Sequence, residues 1–183
     1  MTVYISFSAE IKPQTTETLI AVLAEQVNKK IDEVYLMIST PGGLVMNGLN
    51  LYNVMRSFPF KLITHNMGNV DSIGNAIFLA GEERYACPHS TFMFHGVGFD
   101  TMPGQRLEEK SIREGLDSIL QDQRRIGSII RERTNLNERQ IRNLFREART
   151  KDANYAQSVG IVHDIRDVNI PAGSPVISLV FQR

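Results

Sequence analysis

Three short segments of the 183-residue chain hold the residue types that acyl transfer requires. Asp71-Ser72-Ile73-Gly74 offers a serine hydroxyl where an extended segment passes into a helical one, so Oγ would face a cleft beside the free amides of a first helical turn. Ser and Asp are equally at home there as N-caps. His95 ends the apolar run Phe92-Met93-Phe94 and precedes Gly96, which sets an imidazole at a strand terminus, as a base or as a satisfied structural histidine. Pro41-Gly42-Gly43 is a turn whose glycines permit positive φ and bring N–H groups close to a ligand, and the same triplet serves as an ordinary turn. Together the three supply a hydroxyl nucleophile, a base near neutral pKa and preorganised donors for an oxyanion. The other histidines, His65, His89 and His163, read as structural or surface residues, and Cys87 as a core residue. A single cysteine cannot form an internal disulfide. No Cys/His cluster has metal-ligand spacing and no glycine-rich phosphate loop occurs, so neither a metal nor a nucleotide cofactor is expected.

The elements that must position these residues alternate. Val3–Phe7 reads as a strand, residues 15–27 as a helix opened by Thr-Thr-Glu, and Val34–Ile38 as a buried strand closed by the glycine turn. Val45–Met55 resumes helical spacing, Phe60–Thr64 is a third strand, residues 66–71 form a polar connection, and Ser72–Ala80 is a compact helix. Further strands follow at 84–87 and 91–94. Such alternation with short connections predicts one α/β domain over residues 1–183 with a mostly parallel sheet. From Gln105 to Arg133 there is no proline, and Leu107, Ile112, Leu116, Ile119, Leu120, Ile126, Ile129 and Ile130 recur at near-helical intervals. A helix of that length spans about 40 Å, more than a compact domain of this size needs, so part of it is expected to project onto another subunit. Helices over 137–149 and 153–159, then a tail over about 166–183 with a strand-like end at 176–181, complete the chain.

Lys+Arg and Asp+Glu are 20 each, so no net field draws the chain to nucleic acid or an anionic membrane. With 42% hydrophobic and 22% charged residues the composition supports a normal core. No apolar run approaches membrane-spanning length and the start lacks a signal-peptide pattern, so a cytoplasmic protein is expected.

The segments Tyr35-Leu-Met-Ile-Ser-Thr-Pro-Gly-Gly43, Gly68-Asn-Val-Asp-Ser-Ile-Gly74 with Ala80-Gly81, and Cys87-Pro-His-Ser-Thr-Phe-Met-Phe-His95 resemble, in order and spacing, the Clp protease proteolytic subunit family, over about Tyr4 to Asp164. The resemblance implies a ClpP/crotonase-type α/β fold of repeated β-β-α units with a long protruding handle helix. It implies a serine endopeptidase of peptides or unfolded proteins in homo-oligomeric rings, heptameric or tetradecameric. It also implies Ser72 as nucleophile, His95 as general base, and an oxyanion hole from the amides of Gly43 and Ile73 beside Gly42. This chain departs from the pattern in three places. The family's orienting aspartate, twelve residues before the glycine matching Gly160, falls on Ala148. Asp152 is the substitute carboxylate considered first and Glu147 the other. Asp71 stands where the family has a small alanine. The first strand begins at once, without the preceding segment that engages an AAA+ unfoldase, which speaks against that partner. Ala148 and the short start favour, as an alternative, a weak or inactive structural or regulatory ring subunit. A third reading, the acyl-CoA chemistry of the crotonase relatives, would leave Ser72 and His95 without a role.

Overall fold

The structure, a computed structural model, describes residues 1–98 and 101–181. Its elements run β1 (Thr2–Ser8), α1 (Pro13–Asn28), β2 (Glu33–Thr40), α2 (Val45–Ser57), β3 (Lys61–Asp71), α3 (Gly74–Phe78), β4 (Glu83–Ala86), β5 (Thr91–Met93), α4 (Glu109–Arg133), α5 (Glu138–Glu147), β6 (Thr150–Asp152), α6 (Ala153–Ser158), β7 (Asp164–Ile165) and β8 (Val176–Leu179). They form an eight-stranded sheet of order β6-β5-β3-β2-β1-β8, with β4 paired to β3 and to β7. All pairings are parallel except β5 with β6. The α/β reading from alternation therefore holds, and the tail strand finds its partner in β1.

The strands read as continuous apolar runs because both sheet faces are covered. Val3, Ile5, Phe7, Val34, Leu36 and Ile38 point to the main core, where Leu19 and Leu23 of α1 and Leu49, Leu51 and Met55 of α2 pack over them. The alternate residues Tyr4, Tyr35, Met37, Ile63 and Tyr85 form a second layer on the opposite face, covered by Val168 of the tail. Arg166 of the same tail stacks its guanidinium 3.4 Å above the Tyr85 ring.

The polar connection expected at residues 66–71 is instead the second half of β3. Its asparagines are paired within the sheet: Asn66 donates to the Thr91 carbonyl (2.8 Å), and Asn69 accepts from Ser39 Oγ (2.9 Å) and donates to the Thr40 carbonyl (3.1 Å). The register to β2 jumps from Ile38↔Asn66 to Thr40↔Val70. This bulge re-aims the strand, so β3 pairs with β4 at its start and with β5 at its end.

The long helix is present but starts at Glu109. Gln105 closes a turn back to Met102, and Glu108 is extended as its N-cap. No residue of α4 is buried before Ile126, after which Ile126, Ile129 and Ile130 enter the core beside Ile141 and Leu144 of α5. The base of α4 is held by Arg84, whose buried guanidinium donates to the carbonyls of Gly81 (3.1 Å), Arg133 (2.9 Å), Gly160 (3.1 Å) and Ile161 (2.8 Å). Burial without a carboxylate partner lowers its pKa to about 10.

Candidate functional site

The ends of β2, β3 and β5 lie side by side, and the three chemistry-bearing segments follow them directly, as ligand-binding loops do in open α/β sheets. After β2, Gly42 and Gly43 take φ of +88° and +148°. A Cβ on Gly42 would stand 2.7 Å from Ser72 Cβ, and one on Gly43 would stand 2.2 Å from the Ile11 carbonyl oxygen, so only glycine fits either position. Ile11 N–H donates to the Gly42 carbonyl (2.7 Å) and Leu44 N–H to the Ile11 carbonyl (2.8 Å). These bonds pin both sides of Gly43 and turn its own N–H away from Ile11.

Ser72 directly follows β3 with φ +55°, a left-handed conformation that is uncommon outside glycine. Helix α3 begins at Gly74, two residues later than the sequence pattern suggests, because Ser72 and Ile73 make a sharp elbow. Left-handed serine at a strand-to-helix turn presents Oγ clear of the sheet, the device used by nucleophile elbows. Ser72 N–H donates to the Met93 carbonyl (2.8 Å), tying the elbow to β5.

His95 lies two residues beyond β5 and is exposed. Its Nδ1 is 2.7 Å from the Gly96 carbonyl oxygen. A carbonyl only accepts, so Nδ1 carries the proton, which in a neutral imidazole leaves the lone pair on Nε2. Among the described residues no hydrogen bond joins the imidazole to Ser72 Oγ. A cavity of about 120 Å³ is lined by Gly43, Ser72, Ile73 and His95, with Phe94 and Phe145 among its apolar walls. The structure thus brings Gly43, Ser72, Ile73 and His95 to one cavity, with Gly42 packed behind the serine.

The carboxylates considered for the third position lie elsewhere. Asp152 is paired with Thr91, and its Oδ1 accepts from Tyr155 N–H (2.8 Å) as the N-cap of α6. Glu147 pairs with Lys151 Nζ at 3.0 Å. The pairing of β5 with β6 ends at Met93↔Thr150, two residues before His95 and two after Ala148. Ala148 is left-handed, φ 48°, at the end of α5. Asp71 accepts from Asn69 Nδ2 (2.7 Å), its same-face neighbour on β3, and does not line the cavity.

The remaining histidines take no part. His65 is fully buried in the second layer, with Tyr35 Oη 2.6 Å from Nδ1 and Cys87 Sγ 3.5 Å from Nε2. Burial lowers its pKa to about 4. Cys87, expected in the core, is half-buried at the rim of that layer, and burial raises its thiol pKa, the opposite of an activated nucleophile. His163 accepts from Arg84 N–H (3.3 Å). Among the described residues no group of three or more His, Cys, Asp or Glu side chains could hold a metal ion, and no helix is long and apolar enough to cross a membrane.

Sequence reasoning missed Asn75, which is buried beneath the elbow. A polar residue inside the apolar stretch 73–80 was its only signal.

Compared with known proteins, the chain matches the family model described as Clp protease over residues 2–169. Among solved structures, a point mutant of ClpP1 from Listeria monocytogenes is similar in fold, with a TM-score of 0.79 at 22% sequence identity, covering 90% of this chain and 91% of that one.

Proposed function

The chain belongs to the Clp protease family, and from that premise we propose that it is a serine-type endopeptidase acting on peptides or unfolded protein segments in a ring-shaped homo-oligomer, in a cytoplasmic setting. The observation that carries the proposal is the elbow: Ser72, held at φ +55° directly after β3, opens into a cavity that His95 and Gly43 also line.

In this reading Ser72 Oγ attacks the carbonyl carbon of the substrate peptide bond as its proton passes to His95 Nε2. The carbonyl oxygen becomes an oxyanion that accepts from the N–H groups of Gly43 and Ile73, donors fixed before the substrate arrives. The C–N bond then breaks, Nε2 returns its proton to the leaving amine, and the acyl group stays on Ser72. Water attacks this ester with Nε2 taking its proton, and the collapse of the second tetrahedral intermediate frees the acid and restores the hydroxyl. The imidazole must close onto Ser72 for the first step, and catalytic hydrogen bonds commonly tighten only with substrate bound.

The Gly96 carbonyl does part of the work of a triad aspartate: it fixes the tautomer and the ring plane. It carries no full negative charge, so it stabilises the imidazolium less. Removing that charge from a full triad costs about 10⁴ in rate, so turnover below that of complete triads follows. This reading assigns Asp152 to the cap of α6, where its Oδ1 accepts from Tyr155 N–H.

Fluorophosphonate labelling read by intact mass tests the proposal. One adduct per chain is expected, lost in Ser72→Ala. Ala148 is the observation that favours a second reading, a ring subunit without turnover; absence of any adduct on the assembled protein would select it.

A further inference from the structure

We propose that Asn75 is a positioning residue that locks the Ser72–Ile73 peptide so that its N–H points into the cavity. The inference rests on Ser72 and Ile73 acting as proposed above and adds a residue that touches neither substrate nor reacting atoms.

Asn75 is 1% exposed, and its Nδ2 donates to two main-chain carbonyls, Ser72 at 3.0 Å and Met93 at 2.8 Å. Each carbonyl already has a main-chain donor: Asn75 N–H reaches Ser72 O at 3.1 Å, and Ser72 N–H reaches Met93 O at 2.8 Å. Removing the side-chain amide would therefore orphan neither. Asn75 Oδ1, by contrast, is buried without a partner. An apolar side chain of similar shape would relieve that deficit, so stability alone does not call for asparagine here.

What the amide adds is direction. The C=O of Ser72 and the N–H of Ile73 belong to one planar trans peptide and point to opposite sides of it. Two donors on the Ser72 oxygen hold that peptide on the Asn75 side and turn the Ile73 N–H to the other, where the cavity lies. A left-handed serine is a conformation that persists only when its surroundings over-determine it. The second bond of Asn75, to Met93 O, fixes the same peptide relative to β5, two residues before His95. Without the amide only the Asn75 main-chain N–H holds the Ser72 oxygen, so the peptide plane is fixed less firmly and the Ile73 donor is less well aligned on the oxyanion, while the substrate-binding surface is unchanged.

The test compares Asn75→Leu and Asn75→Ala with the parent chain by fluorophosphonate labelling rate, peptide kcat and KM, and melting temperature. The expected result is a loss of about 10²-fold in labelling rate and kcat, the scale of one oxyanion donor, with KM changed by less than about threefold and the melting temperature of Asn75→Leu no lower than the parent's. Unchanged kcat and labelling in a folded variant overturn the proposal, as does a loss in which KM and melting temperature shift together in both variants. A stability cycle with Ser72→Gly separates this outcome from failure of the catalytic reading, since glycine accepts φ +55° unaided. If the parent neither labels nor turns over, the catalytic reading falls and the cycle decides alone. A smaller drop in melting temperature for Asn75→Ala in the Ser72→Gly background upholds the clamp on the elbow; equal drops overturn it.

Discussion

The Gly96 carbonyl that receives His95 Nδ1–H is a neutral acceptor, and Ala148, which falls where the family pattern has its orienting aspartate, ends α5 two residues before β6. Alanine is poorly suited to that position, with φ 48°, whereas aspartate tolerates the left-handed region better. Ala148→Asp is therefore expected to keep the fold and raise the fluorophosphonate labelling rate at least about tenfold, with about 10⁴ as the ceiling set by a full triad aspartate. An unchanged rate would mean that the neutral carbonyl already supplies all the orientation the histidine uses. The complementary substitution is Asp152→Ala. Loss of its cap on Tyr155 N–H should lower stability by about 1 kcal/mol in chemical denaturation and leave the labelling rate alone. A fall in that rate beyond tenfold would return Asp152 to the catalytic site.

Helix α4 carries two kinds of surface. Its C-terminal half is anchored by Ile126, Ile129 and Ile130, while its N-terminal half has Ile112, Leu116 and Leu120 at intervals of four, 49%, 53% and 42% exposed. Ion pairs between Arg113 and Glu109 and between Lys110 and Glu114 support the exposed turns at only a few tenths of a kcal/mol each. An apolar stripe on a helix so weakly supported by its own pairs is the surface that the proposed ring assembly would cover. The paired substitution Ile112→Glu with Leu116→Glu should reduce the sedimentation mass at a given concentration while far-UV circular dichroism stays that of the parent. A mass unchanged by both charges would remove the stripe from any subunit contact. Leu107, read from the sequence as part of this helix, lies before its N-cap, because Gln105 turns the chain back onto Met102.

For the molecule as a whole, the buried second layer beneath the sheet makes stability depend on pH. Desolvation lowers the pKa of His65 from 6.5 to about 4, and burial moves His163 the same way. The folded chain then binds fewer protons than the unfolded chain between about pH 6.5 and 4, so the stability of the neutral imidazole is complete above 6.5 and is lost as pH falls through that window. The melting temperature is expected to drop between pH 7 and pH 5, and to drop less in His65→Gln. An equal drop in the variant would assign the effect to other groups.

Much of this protein was determined by its sequence. Strand and helix order followed from local periodicity, since the sheet buries both faces of Val34–Ile38 and the helices bury one stripe. That Ser72, His95 and Gly43 sit at strand ends was legible because each lies in a short segment where residue type and backbone freedom are local properties; that they line one cavity was not. The tertiary structure decided what depends on register and on the environment of each group. A bulge between Ile38 and Thr40 made a strand of the polar segment 66–71. The antiparallel pairing of β5 with β6 put Asp152 opposite Thr91, where its carboxylate caps α6. Asn75 came into view only once Ser72 and Met93, far apart in the chain, had brought their carbonyls to one amide. Pairing partners, peptide orientation and desolvation arise from contacts between distant segments, and no window of sequence contains them.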